Sequence, residues 1–396
     1  MGITPDTPIA VLAHGTRHLS LVTETWPPEI NGVAMTLSKL AEGLSGRDWQ
    51  VEIIRPRQNG ESQPQTKSAL QHLLVPGLPI PGYAGLRFGL PVAEKLERTW
   101  TARRPDVVHI ATEGPLGWAA LRVARRMLIP ITTTFHTNFH RYCRHYHLGW
   151  LRGAVTRHLR TLHNQSAFTM VPDAILRKTL QQEGYRNVVV LGRGVDGALF
   201  DPARRSPALR AAWNARDEDP VAIHVGRLAP EKNLGVVVAA FERMQHRQPN
   251  ARMVWVGDGP ELAKLQRRYP HHVFAGPRRG SDLAEHYASA DMFLFPSLTE
   301  TYGNVVPEAM ASGLAVIAYE YAAAAMHIRH RENGLLAPYG DTETFLRNVS
   351  ELTGEPRQVR RLGTAARSAV MANSWEAVSA AFENYLHLAM QGGRNE

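Results

Sequence analysis

Short apolar runs with the character of strands alternate with amphipathic helical stretches from one end of the chain to the other, and few folds accept that rhythm. In the first half the runs lie at 18–23, 51–55, 72–75, 107–111, 131–135, 168–171 and 188–191. In the second they lie at 221–225, 252–256, 272–274, 292–295, 315–318 and 335–336. Most are continuously apolar, the pattern of a parallel strand covered by helices on both faces. The chain has 396 residues, enough for about two domains, so the sequence predicts two successive α/β sandwiches. Gly192, Gly194, Gly197, Pro202 and Pro207 interrupt the rhythm between them. The expected domains are 1–193 and 194–373, with an amphipathic last helix near 374–390, within 374–396, packing back on the first. The proline- and glycine-rich stretch 76–91 is expected to be a long irregular loop.

Composition removes several classes of function. Cys143 is the only cysteine, which excludes an intrachain disulfide and a cysteine-based zinc cluster and points to a reducing cytoplasm. No stretch approaches the ~18 uninterrupted apolar residues of a membrane span, and residues 1–6 carry no targeting or lipidation signal. Charge is uneven. Residues 1–193 hold 23 Lys and Arg against 13 Asp and Glu, and 194–396 hold 22 against 23, so the net +9 sits wholly in the first half. Between 114 and 172 there is no acid at all, which points to an acidic partner on that side.

Two segments of the second half combine the residue types that bind phosphates and sugars. In Gly226-Arg227-Leu228-Ala229-Pro230-Glu231-Lys232-Asn233 a strand gives way to a short loop, and Lys232 is expected in the first turn of the next helix. A lysine there opposes the helix dipole unless an anion joins it, so Arg227 and Lys232 either clamp a phosphate or are two solvated surface cations. In Pro296 to Gly313 a strand leads through a loop holding Glu300 into a short helix capped near Asn304, with Glu308 one to two turns in. Glu300 and Glu308 are suited to accept hydrogen bonds from vicinal hydroxyls of a sugar and a ribose, with the amides of Gly303, Asn304 and Val305 turned to a phosphate. The plainer alternative is a pair of acids favoured by the helix dipole.

The first half offers two more segments. Glu24 to Val33 follows the first strand and opens a helix at Gly32, where a missing Cβ lets amides approach a phosphate. His136 stands just past the strand 131–135, as a structural or a catalytic histidine. The partial glycine pattern at Gly257-Asp258-Gly259 is weak, and Asp217-Glu218-Asp219 is read as a solvated turn. No histidine–carboxylate spacing suggests a metal site.

Together these segments resemble the retaining glycosyltransferases of family 4. The resemblance runs from Pro27-Pro28-Glu29-Ile30-Asn31-Gly32-Val33 to Glu332-Asn333-Gly334-Leu335-Leu336, and its most specific parts are Glu300-x7-Glu308 around Gly303-Asn304 and Gly226-Arg227 with Glu231-Lys232-Asn233. It implies the GT-B fold, two facing Rossmann-like parallel-sheet domains with a deep cleft between them, the first on the acceptor side and the second binding the donor. It also implies transfer of a hexose from a nucleotide-diphosphate sugar, UDP- or GDP-linked, with retention and without a metal or other cofactor. Arg227 and Lys232 would neutralise the leaving diphosphate, Glu308 would hold the ribose, Glu300 the donor sugar, and amides near Gly32 and Gly303–Val305 would meet phosphate or sugar. His136 would sit near the reacting bond. Gly192-Arg193-Gly194-Val195-Asp196, Phe135 to Phe139 and Pro79-x-Pro81 are similar to the branch that glycosylates diacylglycerol-type lipids, including mannosyl- and sulfoquinovosyl-lipid enzymes. Tyr319-Glu320-Tyr321-Ala322 departs from the glycine- and acid-containing loop of many relatives.

On this resemblance the basic first half finds a use. Arg141, Arg144, Trp150 and Arg152 belong to an acid-free stretch suited to an anionic membrane surface, where each cation adds about 1 kcal/mol of attraction. The acceptor would then be a lipid and the chain peripheral on the inner face of the cytoplasmic membrane. The alternatives are an ordinary solvated basic face, a soluble or polysaccharide-precursor acceptor, an inactive nucleotide-sugar binder, a GT-B epimerase, and a nucleic-acid binder. The last would leave Glu300, Glu308 and Lys232 without a purpose.

Overall fold

Parallel pairing is what the continuous apolar runs become. A computed structural model describes residues 16–29, 31–58, 61, 70–79, 87–135, 152–300 and 302–392. The chain divides into one unit of Met1–Leu191 with Ser379–Glu396 and a second of Gly192–Val378.

In the first unit the strands are β1 (Arg17–Val22), β2 (Trp49–Pro56), β3 (Leu70–Val75), β4 (Gly77–Pro79), β5 (Arg87–Gly89), β6 (Val107–Ile110), β7 (Ile131–Thr134), β8 (Phe168–Val171) and β9 (Val188–Val190). Seven of them form a parallel sheet in the order β3-β2-β1-β6-β7-β8-β9. The order turns back between β1 and β6, and the loops leaving those two strands flank the crevice where such sheets take ligands. Helix Gly32–Ser45 follows β1, with the Asn31 side chain accepting from the Ala34 amide at 2.8 Å as its N-cap. Helix Pro115–Arg126 follows β6, and its buried Leu116, Ala120 and Val123 pack with Val22, Val108 and Trp100.

The stretch 76–91 is not wholly irregular: β4 and β5 pair antiparallel, Gly77 with Gly89 and Pro79 with Arg87. Two three-residue strands, Gly-Leu-Pro and Arg-Phe-Gly, are too short to have a periodicity to read. The last helix, Trp375–Gly392, contributes its residues from Ser379 to the first unit. There the Trp49 indole donates to Glu383 Oε1 at 2.9 Å and stacks on His387. Any Cβ on Gly43 would collide with the Ser379 side chain, so that glycine sets how closely this helix approaches Gly32–Ser45.

The second unit contains β10 (Val221–Val225), β11 (Arg252–Val256), β12 (Val273–Gly276), β13 (Met292–Phe295), β14 (Ala315–Tyr319) and β15 (Leu335–Ala337), all parallel in the order β12-β11-β10-β13-β14-β15. One face buries Val221, Ile223, Phe293, Val316 and Met310, the other Ala222, Leu294, Ile317, Phe241 and Phe345. Asp217-Glu218-Asp219 is more than a solvated turn. Asp219 is buried, its carboxylate accepts from the Arg216 amide at 2.8 Å, and its carbonyl accepts from buried Arg210. Among the described residues no helix is long and apolar enough to cross a membrane.

Candidate active site

The second sheet also reverses its order, between β10 and β13, which pair directly through Ala222–Met292 and Ile223–Phe293. Loops far apart in sequence therefore leave the sheet side by side. After β10 the chain turns at Gly226, φ 149°, and a Cβ on Gly257 after β11 would collide with the Gly226 carbonyl oxygen. Only glycine at 257 lets these two loops lie so close.

Lys232 is placed differently from the sequence expectation. Pro230–Lys232 form a 3₁₀ turn, Asn233 adopts the left-handed conformation at φ 55°, and the α-helix starts only at Leu234. Left-handed Asn233 ends one turn before the next begins, so Lys232 is freed from the helix and reaches across to the β13 loop. Its ammonium donates to the Glu300 carboxylate and, at 3.3 Å, to the Thr299 carbonyl. Among the described residues two of its three N–H donors are thus spoken for, and the third is available to an anion. Arg227 is half exposed and faces Glu231 at 3.6 Å, a weak surface pair that does not occupy its guanidinium fully.

Glu300 is held from several sides. Ser297 Oγ donates to its Oε1 at 2.9 Å, Tyr321 Oη donates to its backbone carbonyl at 2.8 Å, and the Leu298 amide ties the loop to the Glu231 carbonyl at 3.0 Å. Tyr339 Oη donates to the Leu298 carbonyl at 2.7 Å. Gly303, φ 91°, turns the chain into helix Val305–Ala311, and Asn304 stands at its N-cap without a side-chain capping bond, its buried Oδ1 unpartnered among the described residues. Glu308 lies in the first turn of this helix, not one to two turns in. Tyr287 Oη donates to its Oε2 at 3.2 Å, and burial pushes the carboxyl pKa up to about 8. Beneath the loops, His224 on β10 bonds the Leu294 carbonyl through Nδ1 at 3.0 Å, and its pKa is lowered to about 4, first by burial and then by the nearby Lys232 charge.

In the first unit Gly32 opens its helix as expected, next to a polar loop in which Asn31 Nδ2 donates to Thr25 Oγ1 at 2.7 Å and Gln58 Nε2 to the Trp26 carbonyl at 2.7 Å. Glu24, two residues past the end of β1, accepts from the Leu116 amide at 3.4 Å, and burial raises its pKa to about 7. His136, Arg141, Arg144 and Trp150 lie outside the described residues, and Arg152 begins helix Arg152–His163. Among the described residues no group of three or more His, Cys, Asp or Glu side chains is arranged to hold a metal ion.

The family models called Glycosyltransferase Family 4 and Glycosyl transferases group 1 match residues 30–198 and 219–355. A GDP-mannose-dependent alpha-mannosyltransferase of Mycobacterium tuberculosis is 33% identical over 91% of this chain and 93% of its own. The chain belongs to glycosyltransferase family 4. An alpha-monoglucosyldiacylglycerol synthase of Acholeplasma laidlawii is 27% identical over 89% of this chain and 91% of its own. Among solved structures, sucrose-phosphate synthase from Thermosynechococcus elongatus has a TM-score of 0.79 at 18% identity over 95% of this chain and 100% of its own, a likeness of fold. This family 4 glycosyltransferase is a hexosyltransferase with the GT-B fold of two parallel-sheet Rossmann-like domains, and its relatives include a sulfoquinovosyl transferase of Arabidopsis thaliana and monoglucosyldiacylglycerol synthases.

Three residues of this glycosyltransferase's candidate site escaped sequence reasoning. Ser297 sits three residues before Glu300 at the strand end, where a small hydroxyl was a readable sign. Tyr321 was visible only as a departure from the family loop, although its hydroxyl holds the Glu300 backbone. Tyr287, on helix Gly280–Ala288, gives no local sign at all that it meets Glu308.

Proposed function

We propose that the protein moves a hexose, with retention, from a nucleotide-diphosphate sugar to a lipid acceptor such as diacylglycerol or a glycolipid at the inner face of the cytoplasmic membrane, and that it needs no metal. The observation that carries this is the meeting of Lys232 with Glu300 at the carboxyl ends of β10 and β13. Cation and carboxylate side by side suit a donor in which a diphosphate adjoins a polyhydroxylated ring. Arg227 and the free donor of Lys232 take the diphosphate, Glu300 takes sugar hydroxyls, and Glu308 takes the ribose. The amides at Gly32 and Gly303–Val305 meet phosphate or sugar, and His136 acts near the reacting bond.

The bond from the anomeric carbon to the diphosphate breaks as that carbon bonds to the acceptor oxygen on the same face, and the acceptor proton passes to the departing phosphate oxygen. Charge gathers on the leaving group, so fixed cations aimed at it supply the largest part of the rate enhancement. GDP-mannose is the first donor to try, because the M. tuberculosis relative carries it in its name, and a diacylglycerol acceptor follows from the name of the A. laidlawii relative. The test is nucleoside diphosphate release from GDP-, UDP- and ADP-sugars, with and without diacylglycerol-containing anionic vesicles and without metal. Release that needs one donor and the vesicles supports the proposal. Release indifferent to vesicles moves the acceptor to soluble sugars, and no release from any donor overturns the assignment.

A further inference from the structure

Among the described residues, the hydrogen bonds that reach the Glu300 carboxylate all end on one of its two oxygens. Ser297 Oγ and the Lys232 ammonium both donate to Oε1, and no described group donates to Oε2. Oε2 lies on the side of Gly303, where a Cβ would stand 3.8 Å from it. The carboxylate thus has one oxygen fixed by the protein and one left for a ligand hydroxyl. With Oε1 pinned, the place of Oε2 depends on where the backbone of residue 300 is held.

That backbone is held from the end of β14. Tyr321 Oη donates to the Glu300 carbonyl at 2.8 Å, and the Ala323 amide donates to the Tyr302 carbonyl at 2.8 Å, so the loop is gripped at residues 300 and 302. Tyr339, whose hydroxyl holds the Leu298 carbonyl, sets its ring edge-on to that of Tyr321 with centroids 5.2 Å apart. Tyr319, the last residue of β14, accepts from Asn233 Nδ2 at 3.4 Å, beside Lys232. One strand end therefore braces both members of the Lys232–Glu300 pair. The grip is strained: between Tyr321 and Ala323, Ala322 sits at φ 49°, which an alanine adopts only at a cost. Strain of this kind persists where surrounding contacts over-determine it, and it gathers at sites that hold a ligand.

We propose that Tyr321 is a positioning residue for hexosyl transfer, its hydroxyl fixing the backbone of Glu300 so that Oε2 meets a hydroxyl of the donor sugar. This rests on the assignment of Glu300 to the donor sugar and deepens it, naming the oxygen that binds and the group that aims it. Phenylalanine at 321 keeps the ring against Tyr339 and removes the bond to the Glu300 carbonyl. A loosened carboxylate weakens the sugar contact where alignment matters most, in the transition state, while Arg227, Lys232 and Glu308 still hold the nucleoside diphosphate.

The experiment measures kcat and KM for nucleoside diphosphate release in wild type, Tyr321→Phe, Glu300→Gln and the double variant, with GDP-mannose, UDP-glucose and ADP-glucose as donors. Calorimetric titration with GDP and UDP reports whether the nucleotide site is intact. Tyr321→Phe should lower kcat about tenfold, with KM and nucleoside diphosphate affinity within about twofold of wild type. Added to Glu300→Gln, it should lower kcat by less than about twofold more, because the group it aims is already gone. Equal kcat in wild type and Tyr321→Phe overturns the proposal. A tenfold loss that repeats in full on the Glu300→Gln background also overturns it, by showing that Tyr321 acts elsewhere, and leaves the assignment of Glu300 standing. A loss of GDP or UDP affinity as large as the loss of kcat overturns it too, since the tyrosine then supports the nucleotide site as a whole. Wild-type kcat in Glu300→Gln removes the donor-sugar assignment, and this proposal with it.

Discussion

Lys232 and Glu300, 68 residues apart in sequence, are joined by a hydrogen bond that the strand order alone makes possible. Both side chains are largely buried, at 14% and 15% exposure, so removing one leaves the other's charge with little water to compensate. Lys232→Met should therefore lower unfolding stability by about 1–3 kcal/mol as well as abolish transfer. Glu300→Gln keeps an oxygen for Lys232 and Ser297, and is expected to stay near wild-type stability while turnover falls at least about 100-fold. Chemical denaturation and nucleoside diphosphate release measure the two effects, and wild-type turnover in Glu300→Gln would remove its assigned role.

Arg227 is the opposite case, a cation 54% exposed whose one ion pair is weak. Its loss to alanine should leave stability within about 0.5 kcal/mol of wild type. The affinity for GDP or UDP should drop about tenfold, which is ~1.4 kcal/mol. Calorimetry with the nucleoside diphosphate alone tests this, and an unchanged affinity would place the diphosphate elsewhere.

Glu308 makes stability depend on pH. Its ordinary pKa of 4.5 is raised to about 8 by burial, so below about 4.5 both folded and unfolded chains hold the proton and there is no penalty. From there to about 8 the unfolded chain ionises first, and stability declines as pH rises. Glu308→Gln should be more stable than wild type at pH 9, with the difference vanishing near pH 4. If the ionised carboxylate accepts from the ribose, nucleotide affinity rises with pH through about 8 and becomes flat in the variant. A parallel slope in both proteins would show that Glu308 does not meet the nucleotide.

Ala322 and Gly257 should respond to exchange with opposite sign. Ala322 holds φ at 49°, where an alanine costs about 1 kcal/mol, so Ala322→Gly is expected to be neutral or stabilising by up to about 1 kcal/mol. Gly257 holds φ at 135° against the Gly226 carbonyl, and Gly257→Ala should cost at least about 2 kcal/mol. Thermal denaturation of both variants reads the signs directly.

Much of this arrangement was legible in the sequence because it is written locally. Runs such as 221–225 and 292–295 are buried on both faces, and their continuous apolar character gave their bounds without error. Glu300 and Lys232 stood out because their charges follow strands. The 3₁₀ turn at Pro230–Lys232 did not, since it depends on Asn233 taking the left-handed conformation, which asparagine tolerates but does not demand. The Tyr287–Glu308 bond was hidden for another reason: it joins two helices through the fold, and neither segment carries a pattern that names its partner.

The return of the last helix to the first unit has a consequence for synthesis on the ribosome. Residues Gly192–Val378 are one unbroken stretch and have all their own contacts once that stretch has emerged. The first unit, although most of it is made earlier, keeps Gly43, Trp49 and His109 uncovered until Ser379, Glu383 and Phe382 have been made. The usual order, in which the earlier domain matures first, is thus reversed for these two units, and a nascent protein halted before residue 379 exposes an apolar face that the later helix conceals.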